Sequence, residues 1–318
     1  MELIIRFLLQ LCQMALVLAL APLLTGFIRR MKARMQRRAG PPLLQPYRDL
    51  AKLIVKDAIV PTDSSWLFRV APYLIFAATW VAASLVPSFG TNLLFSWSGD
   101  LIVIVALLGS ARFAQMLAAL DAGTAFGGLG ASREAMIASL AEPAMLMMVF
   151  TVALVAGTTQ LSAIAGFMHS GQAGLRLSLA LALVSLVIVA LTETGRFPVD
   201  NPATHLELTM IHEAMILEYS GRHLALIELA NAMRLLLYFS LIACVFLPFG
   251  IAAPGSRPGL LVAGALAYIM KLAAGAVLLA LFETSFAKMR VFRVPNFVGA
   301  AFMLAVLGML LLFVSAPL

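Results

Sequence analysis

Cysteine and charge are what this chain has least of. Only Cys12 and Cys244 are present, both inside apolar runs and neither in a CxxC pair. That usage excludes an iron–sulfur cluster or a zinc site held by this chain and argues against a disulfide, so two buried free thiols are expected. Charged residues make up 12% of the sequence, and no stretch is polar enough to form a soluble basic domain. The net charge of +7 is therefore not a nucleic-acid footprint. Gly123, Gly127, Gly128 and Gly130 cluster, but no Walker lysine or Rossmann strand accompanies them. They read as a tight turn ahead of the fourth span. Ile216 stands where a zincin motif starting at His212-Glu213 would need its second histidine. His205 and His212, seven residues apart and with Thr209 between them, leave a metal site open as a lesser reading. Neither an inverted repeat of the transporter kind nor a low-complexity segment is present.

What is abundant is apolar. Hydrophobic residues form 62% of the chain and mean hydropathy is +1.00. Apolar runs of spanning length recur throughout, which predicts an all-α polytopic membrane protein with about eight transmembrane helices. The expected spans are 3–28, 68–89, 100–120, 135–157, 175–193, 223–249, 259–282 and 296–316. The first has only Arg6 ahead of it and ends in a basic block, so it reads as an anchor and not a cleaved signal. The whole of 1–318 reads as one transmembrane domain, with a basic amphipathic segment at 29–65 and an acidic loop at 194–222. Arg29, Arg30, Lys32, Arg34, Arg37 and Arg38 follow span 1, Lys288, Arg290 and Arg293 follow span 7, and Arg133, Arg196 and Arg222 follow spans 3 and 5. The other side carries Arg6, Arg176 and Arg257. The positive-inside rule then places the basic loops in the cytoplasm and both termini outside, in the cell inner membrane.

Two polar segments stand out. Ala39-Gly40-Pro41-Pro42 stops any helix continuing from span 1, and a short amphipathic helix is expected from Pro46. Leu50, Leu53 and Ile54 fall on one face of it, with Arg48, Lys52 and Lys56 at i, i+4 and i+8. A helix lying on anionic headgroups and a docking surface for a soluble subunit are both open readings; Asp49 within the stripe favours protein contact. The second segment, 192–221, holds Glu193, Arg196, Asp200, His205, Glu207, His212, Glu213 and Glu218 between two spans. A carboxylate-rich loop there suggests partner docking, proton movement, or both.

Charges inside the spans call for partners or water, because a central Lys or Arg costs roughly 2.5–3.5 kcal/mol on insertion scales. Arg112, Glu142, Glu228, Arg234 and Lys271 are such residues, and Glu193 and Glu283 close spans 5 and 7. Asn231, three residues from both Glu228 and Arg234, is placed to bridge them. Buried ion pairs that fix packing are one explanation. The other is a polar path from the cytoplasm to mid-membrane through Glu142, Glu193 and Glu228, continued by Arg112, Arg234 and Lys271. A second subunit would complete it, since no ionisable residue lies deep in the outer half of a span. Glu142 leads this set because Pro143 beside it lacks an N–H, leaving a carbonyl one turn earlier free to hold water.

Arg38-Ala39-Gly40-Pro41-Pro42-Leu43-Leu44-Gln45, followed by Tyr47-Arg48-Asp49-Leu50 and Lys52-Leu53, resembles the first cytoplasmic loop of subunit 1 of respiratory complex I and its hydrogenase relatives. Glu193-Thr194-Gly195-Arg196-Phe197-Pro198-Val199-Asp200, with Glu218-Tyr219-Ser220-Gly221 behind it, resembles the acidic loop of the same family. Leu120-Asp121-Ala122-Gly123-Thr124, Gly130-Ala131-Ser132-Arg133-Glu134-Ala135-Met136 and Glu142-Pro143 are similar to the membrane subunit of hydrogenase 4 and formate hydrogenlyase. The chain departs from both types at Ala203-Thr204-His205-Leu206-Glu207, where they carry two further glutamates.

The resemblance implies a non-catalytic subunit of an oxidoreductase complex that anchors soluble redox subunits and couples electron transfer to proton or sodium translocation. The implied partners are a [NiFe]-hydrogenase-type large subunit, an Fe–S small subunit and antiporter-like membrane subunits. Cofactors would sit in those partners and none in this chain, and the departure after Asp200 puts quinone binding in question. Arg38, Arg48, Asp49, Lys52, Lys56, Arg196, Asp200, Glu207, Glu213 and Glu218 are the expected subunit interface. The alternatives are a quinone-reactive complex I subunit 1, a stand-alone ion transporter, and a passive membrane anchor.

Overall fold

The computed structural model describes residues 2–91, 94–171, 174, 176–196, 210–252, 258–286 and 293–315. Asp200, His205, Glu207, Arg257, Lys288 and Arg290 lie outside the described residues. The helices are α1 (Glu2–Met35), α2 (Gln45–Val55), α3 (Trp66–Leu85), α4 (Leu101–Asp121), α5 (Ala125–Ala156), α6 (Leu161–His169), α7 (Leu177–Glu193), α8 (His212–Ile216), α9 (Gly221–Val245), α10 (Pro258–Ser285) and α11 (Val294–Ser315). Seven of them, α1, α3, α4, α5, α9, α10 and α11, are long and apolar enough to cross a membrane. The eighth expected span, α7, is equally apolar but has 17 residues. Among the described residues no strand forms; Gly90 pairs with Ala252 and Asp100 with Gln160 as isolated bridges.

α9 is the hub of the bundle. It packs on α1, α2, α3, α6, α7 and α10, and 61% of its most apolar window is buried, against 28% for α10 and 22% for α11. Those two therefore form the rim: α11 lies against α5 and α7, and α10 against α1. The core is built from Ala, Leu, Val, Ile and Met of α4, α5, α7 and α9, with Tyr238 and Tyr268 fully enclosed. Polar caps set several helix starts. The side chains of Ser65, Asp100 and Thr124 accept from the backbone N–H of Leu67, Ile102 and Gly127. Asp121 at the end of α4 also accepts from the N–H groups of Ser65 (2.9 Å) and Phe68 (3.3 Å), locking α4 to the start of α3.

Four expectations are corrected. α5 begins ten residues before the expected 135, so Gly127, Gly128 and Gly130 are helical and only Gly123 makes the turn. A Cβ on Gly127 would come within 2.4 Å of the Ala119 carbonyl oxygen, and one on Gly130 within 3.0 Å of the Ile211 carbonyl oxygen. The glycines serve close helix approach, not a loop. α1 continues through the basic block to Met35. Cys12 is exposed because the first turns of α1 stand at the rim, while Cys244 is buried. Ile54 is 63% exposed, and only Leu50 and Leu53 of the expected apolar face of α2 turn inward.

Candidate ion path and docking face

α4 carries Arg112 at its middle, and three carboxylates converge on it. Glu193, the last residue of α7, pairs directly with its guanidinium. Glu134 of α5 lies 3.6 Å from Nε, and Glu142, about two turns further along α5, lies 3.7 Å from Nη1. His212 of α8 puts Nε2 3.5 Å from the other oxygen of Glu134. From α9, Arg234 and Tyr238 stand within electrostatic reach of the same group. Arg112, Glu134, Glu193 and Arg234 are all buried, whereas the Glu142 side chain is 45% exposed. A void of about 10 Å³, bounded by Arg112, Glu142, Glu193 and Tyr238, has room for roughly one water. Gln115, one turn along α4, is buried with neither amide atom hydrogen-bonded among the described residues.

Charge counting says what this cluster can do. Glu134, Glu142 and Glu193 bring three negative charges, and Arg112 and Arg234 bring two positive ones, which leaves minus one. Uncompensated buried charge is costly, and Glu142, whose side chain is 45% exposed, is the carboxylate of the three that is not enclosed. His212 lies on the loop side of this cluster.

A left-handed stop builds the loop side. Gly195 has φ +57°, its N–H donates to the Thr192 carbonyl, and the Arg196 N–H donates back to the Leu191 carbonyl, ending α7 in a Schellman turn. A Cβ on Gly195 would lie 3.0 Å from Nδ1 of His212, so the imidazole packs on the bare glycine. The turn leaves Glu193 facing Arg112 and sends Arg196 the other way, to within 3.8 Å of Glu283 at the end of α10. Burial pulls the Arg196 guanidinium below its usual range, with the Glu283 carboxylate opposing. Arg133 donates to the Met210 carbonyl at 2.8 Å, which holds α8 over α5.

The expected single row of charges divides in two. Glu228 is six residues from Arg234, about 240° around α9, so the two face different neighbours. Glu228 lines a separate cavity of about 250 Å³ between α1, α2 and α9, with Arg29 and Asp49. Asp49 accepts from the Gln45 side chain at 2.8 Å and belongs to this cavity rather than to an outward stripe. Among the described residues no hydrogen bond joins Asn231 to Glu228 or Arg234. Lys271 is also apart from the Arg112 cluster. Its Nζ donates to the Leu247 carbonyl at 2.5 Å and sits 4.6 Å above the Phe249 ring.

On the basic face, Arg38, Arg48, Lys52 and Lys56 are exposed, and Glu213 and Glu218 are half-buried. The end of the second motif meets the chain that follows α2. Oγ of Ser220 accepts from the Ile59 N–H at 2.8 Å, the Tyr219 hydroxyl donates to the Phe68 carbonyl at 3.0 Å, and the rings of Phe68 and Tyr219 stack at 4.0 Å.

Residues 8–314, which hold the helical bundle and its buried cluster, match the family described as NADH dehydrogenase. The chain belongs to that family, which is the complex I subunit 1 family. Within it, formate hydrogenlyase subunit 4 of Escherichia coli (strain K12) is 34% identical over 298 residues, covering 94% of this chain and 96% of that protein. Hydrogenase-4 component C of the same organism is 34% identical over 298 residues, covering 94% and 93%. A chain of the membrane-bound sulfane sulfur reductase, an archaeal respiratory membrane complex, superposes with a TM-score of 0.81 at 22% identity, over 98% of this chain and 99% of that one. That likeness shows the fold alone. The NADH dehydrogenase family bundle makes this a multi-pass membrane protein.

The cluster holds three groups that were not singled out from sequence: Glu134, Gln115 and Tyr238. Glu134 precedes Glu142 by eight residues and shares its helix face. Starting the fourth span ten residues late hid that relation. Tyr238 follows Arg234 by one turn, but nothing in its surroundings marks it in sequence apart from a tyrosine core.

Proposed function

We propose that this protein is the membrane subunit of a hydrogenase-4-like or formate-hydrogenlyase-like complex in the cell inner membrane. It seats a [NiFe]-hydrogenase-type large subunit and an Fe–S small subunit on its basic, cytoplasmic face. It couples their electron transfer to proton or sodium movement that antiporter-like membrane subunits complete. All redox centres belong to the partners. The observation that carries this reading is the convergence of Glu134, Glu142 and Glu193 on the buried Arg112, with His212 beside Glu134. An inert anchor has no need of three carboxylates on one buried arginine, whose desolvation exceeds what their attraction returns unless the geometry is close to ideal. The names of the two Escherichia coli relatives support the assignment of the complex.

The test is purification of the tagged chain from native membranes, followed by paired assays of electron transfer and ion uptake in vesicles. Soluble Fe–S and hydrogenase-type subunits are expected to co-purify. Glu142→Gln is expected to lower ion uptake more than electron transfer, or both together if the two are strictly coupled. An assembled variant with both rates at the wild-type level would reject the path.

A second reading has one observation in its favour. The cavity holding Glu228, Asp49 and Arg29 opens between α1 and α9, where a quinone ring would enter from the membrane. Its roughly 250 Å³ is below the range common for organic ligands. Quinone in the purified complex, displaced by bulky substitution at Leu224 or Ala232 on its wall, would favour this reading.

A further inference from the structure

One side of α3 is uncovered. Trp66 is 73% exposed, Tyr73 48%, and Val70, Leu74 and Val81 43% each, and all five fall on one helix face. Arg69 is exposed at the edge of this stripe, one turn into the helix. Arg222 is exposed in the first turn of α9, which packs on α3. Neither guanidinium forms an ion pair among the described residues. Asp121 is taken up by the N–H groups of Ser65 and Phe68, and Asp57, whose carbonyl passes over Gly221, pairs with neither arginine. His223 approaches the same place from inside the bundle. It is 5% exposed, its ring stands edge-on to Tyr73 at 5.7 Å, and both arginines lie within its electrostatic reach. Its Nδ1 is buried and has no hydrogen-bond partner among the described residues.

We infer that Arg69, Arg222 and His223 hold the phosphate of an anionic phospholipid from the leaflet on this side, and that its acyl chains lie along the bare stripe of α3. The two guanidinium forks match phosphate oxygens, and with its proton on Nδ1 the imidazole donates a further hydrogen bond. The depth is that of a headgroup. α3 has 20 residues, about 30 Å, which is the thickness of a hydrocarbon core, and Arg69 stands about 5 Å from its end. Trp66 and Tyr73 flank the arginine, as aromatic rings do at a membrane surface. From Arg69 to Val81 the stripe runs 12 residues (81 − 69 = 12), about 18 Å, close to the roughly 15 Å of one leaflet. A carboxylate from a soluble partner would answer the arginines and leave the stripe bare. A phospholipid answers both, because its negative charge and its apolar chains are joined at this level. The inference needs only that the chain spans a membrane and is independent of the complex it joins.

The test is photolabelling of the full chain, with the subunits that co-purify, in nanodiscs of phosphatidylcholine carrying a trace of phosphatidylglycerol with a diazirine on one acyl chain. Mass spectrometry is expected to find the label enriched on α3 relative to α11, whose lipid face serves as the internal control. Unlabelled phosphatidylglycerol is expected to displace it from α3, and neither further phosphatidylcholine nor inorganic phosphate is expected to do so. Changing Arg69 and Arg222 to Gln together is expected to lower labelling of α3 on the order of tenfold and leave that of α11 unchanged. Equal labelling of α3 in that variant, or equal displacement by phosphatidylcholine, overturns the inference. Displacement by inorganic phosphate assigns a free-anion site and overturns it as well. So does absence of the label from α3 in the assembled complex when the isolated chain takes it up, since a protein then covers the stripe. If the double variant does not accumulate, the competition on the wild-type chain decides.

Discussion

Nζ of Lys32 lies 2.6 Å from Oε2 of Glu283, tying the basic end of α1 to the end of α10. The pair is unequal: the Glu283 side chain is 1% exposed and the Lys32 side chain 33%. Removing the lysine leaves a buried carboxylate facing Arg196, 3.8 Å away, and removing the carboxylate leaves the enclosed Arg196 guanidinium without its counter-charge. Lys32→Met and Glu283→Gln are therefore each expected to cost about 2–3 kcal/mol, since either leaves a buried charge unpaired. Denaturation of the detergent-solubilised protein measures both, and wild-type stability in either variant would refute the pairing.

The same logic separates the carboxylates around Arg112. Glu193 is 3% exposed and pairs directly with the guanidinium, so Glu193→Gln is expected to destabilise by about 2–4 kcal/mol. Glu142 is 45% exposed at 3.7 Å, so Glu142→Gln should stay within about 1 kcal/mol of wild type while lowering ion uptake. Equal losses of stability would mean that Glu142 is enclosed by its neighbours as deeply as Glu193.

Gly195→Ala places a Cβ on a residue with φ +57° and 3.0 Å from the His212 ring. The strain of the left-handed conformation is about 1–2 kcal/mol, and displacement of His212 should lower ion uptake as well. Unchanged uptake at reduced thermal stability would separate the imidazole from the path.

Much of this was readable from the residue order. Long apolar runs mark eight spans, seven of which are helices long enough to cross a membrane, because a bilayer demands length and hydropathy together. Pro41 and Pro42 mark the break before α2, and Arg112, Glu142, Glu193 and Arg234 stand out as charges where none is cheap. What sequence could not show is which face each residue takes. Glu228 and Arg234 look like neighbours in one helix, yet they serve two sites on different sides of α9. Gly127 and Gly130 look like a loop because glycine is read as a breaker, but here it is what lets α5 lie close to α4 and α8. Lys271 looks like the inner end of a row and instead stands over Phe249 at the rim.

Tyr219 gives a pH signature. Burial raises its phenol pKa, and the nearby Asp121 carboxylate adds to this. The unfolded chain gives up this proton near pH 10, before the folded chain does. The contribution of Tyr219 is thus complete below about pH 10 and declines as pH rises beyond it. Tyr219→Phe is expected to remove that alkaline decline. At neutral pH it should cost about 1–2 kcal/mol, because the Phe68 carbonyl loses its donor. Unfolding curves at pH 7 and pH 10.5 test both parts.

Reversing Arg48, Lys52 and Lys56 to Glu together should release soluble partner subunits from washed membranes, since all three side chains are exposed on the basic face. Asp49→Ala alone should retain them, because Asp49 faces the cavity shared with Glu228. Retention after the triple reversal would move the docking seat elsewhere on that face.

The brevity of α7 has a bearing on the bilayer around it. Seventeen residues span about 25 Å, some 5 Å less than a typical hydrocarbon core. Lipid beside a short span yields by thinning, at a modest cost per ångström. Thinning beside α7 would bring its Glu193 end closer to the aqueous phase. The buried Arg112–Glu193 pair at that end is thereby separated from the aqueous phase by a shorter dry interval.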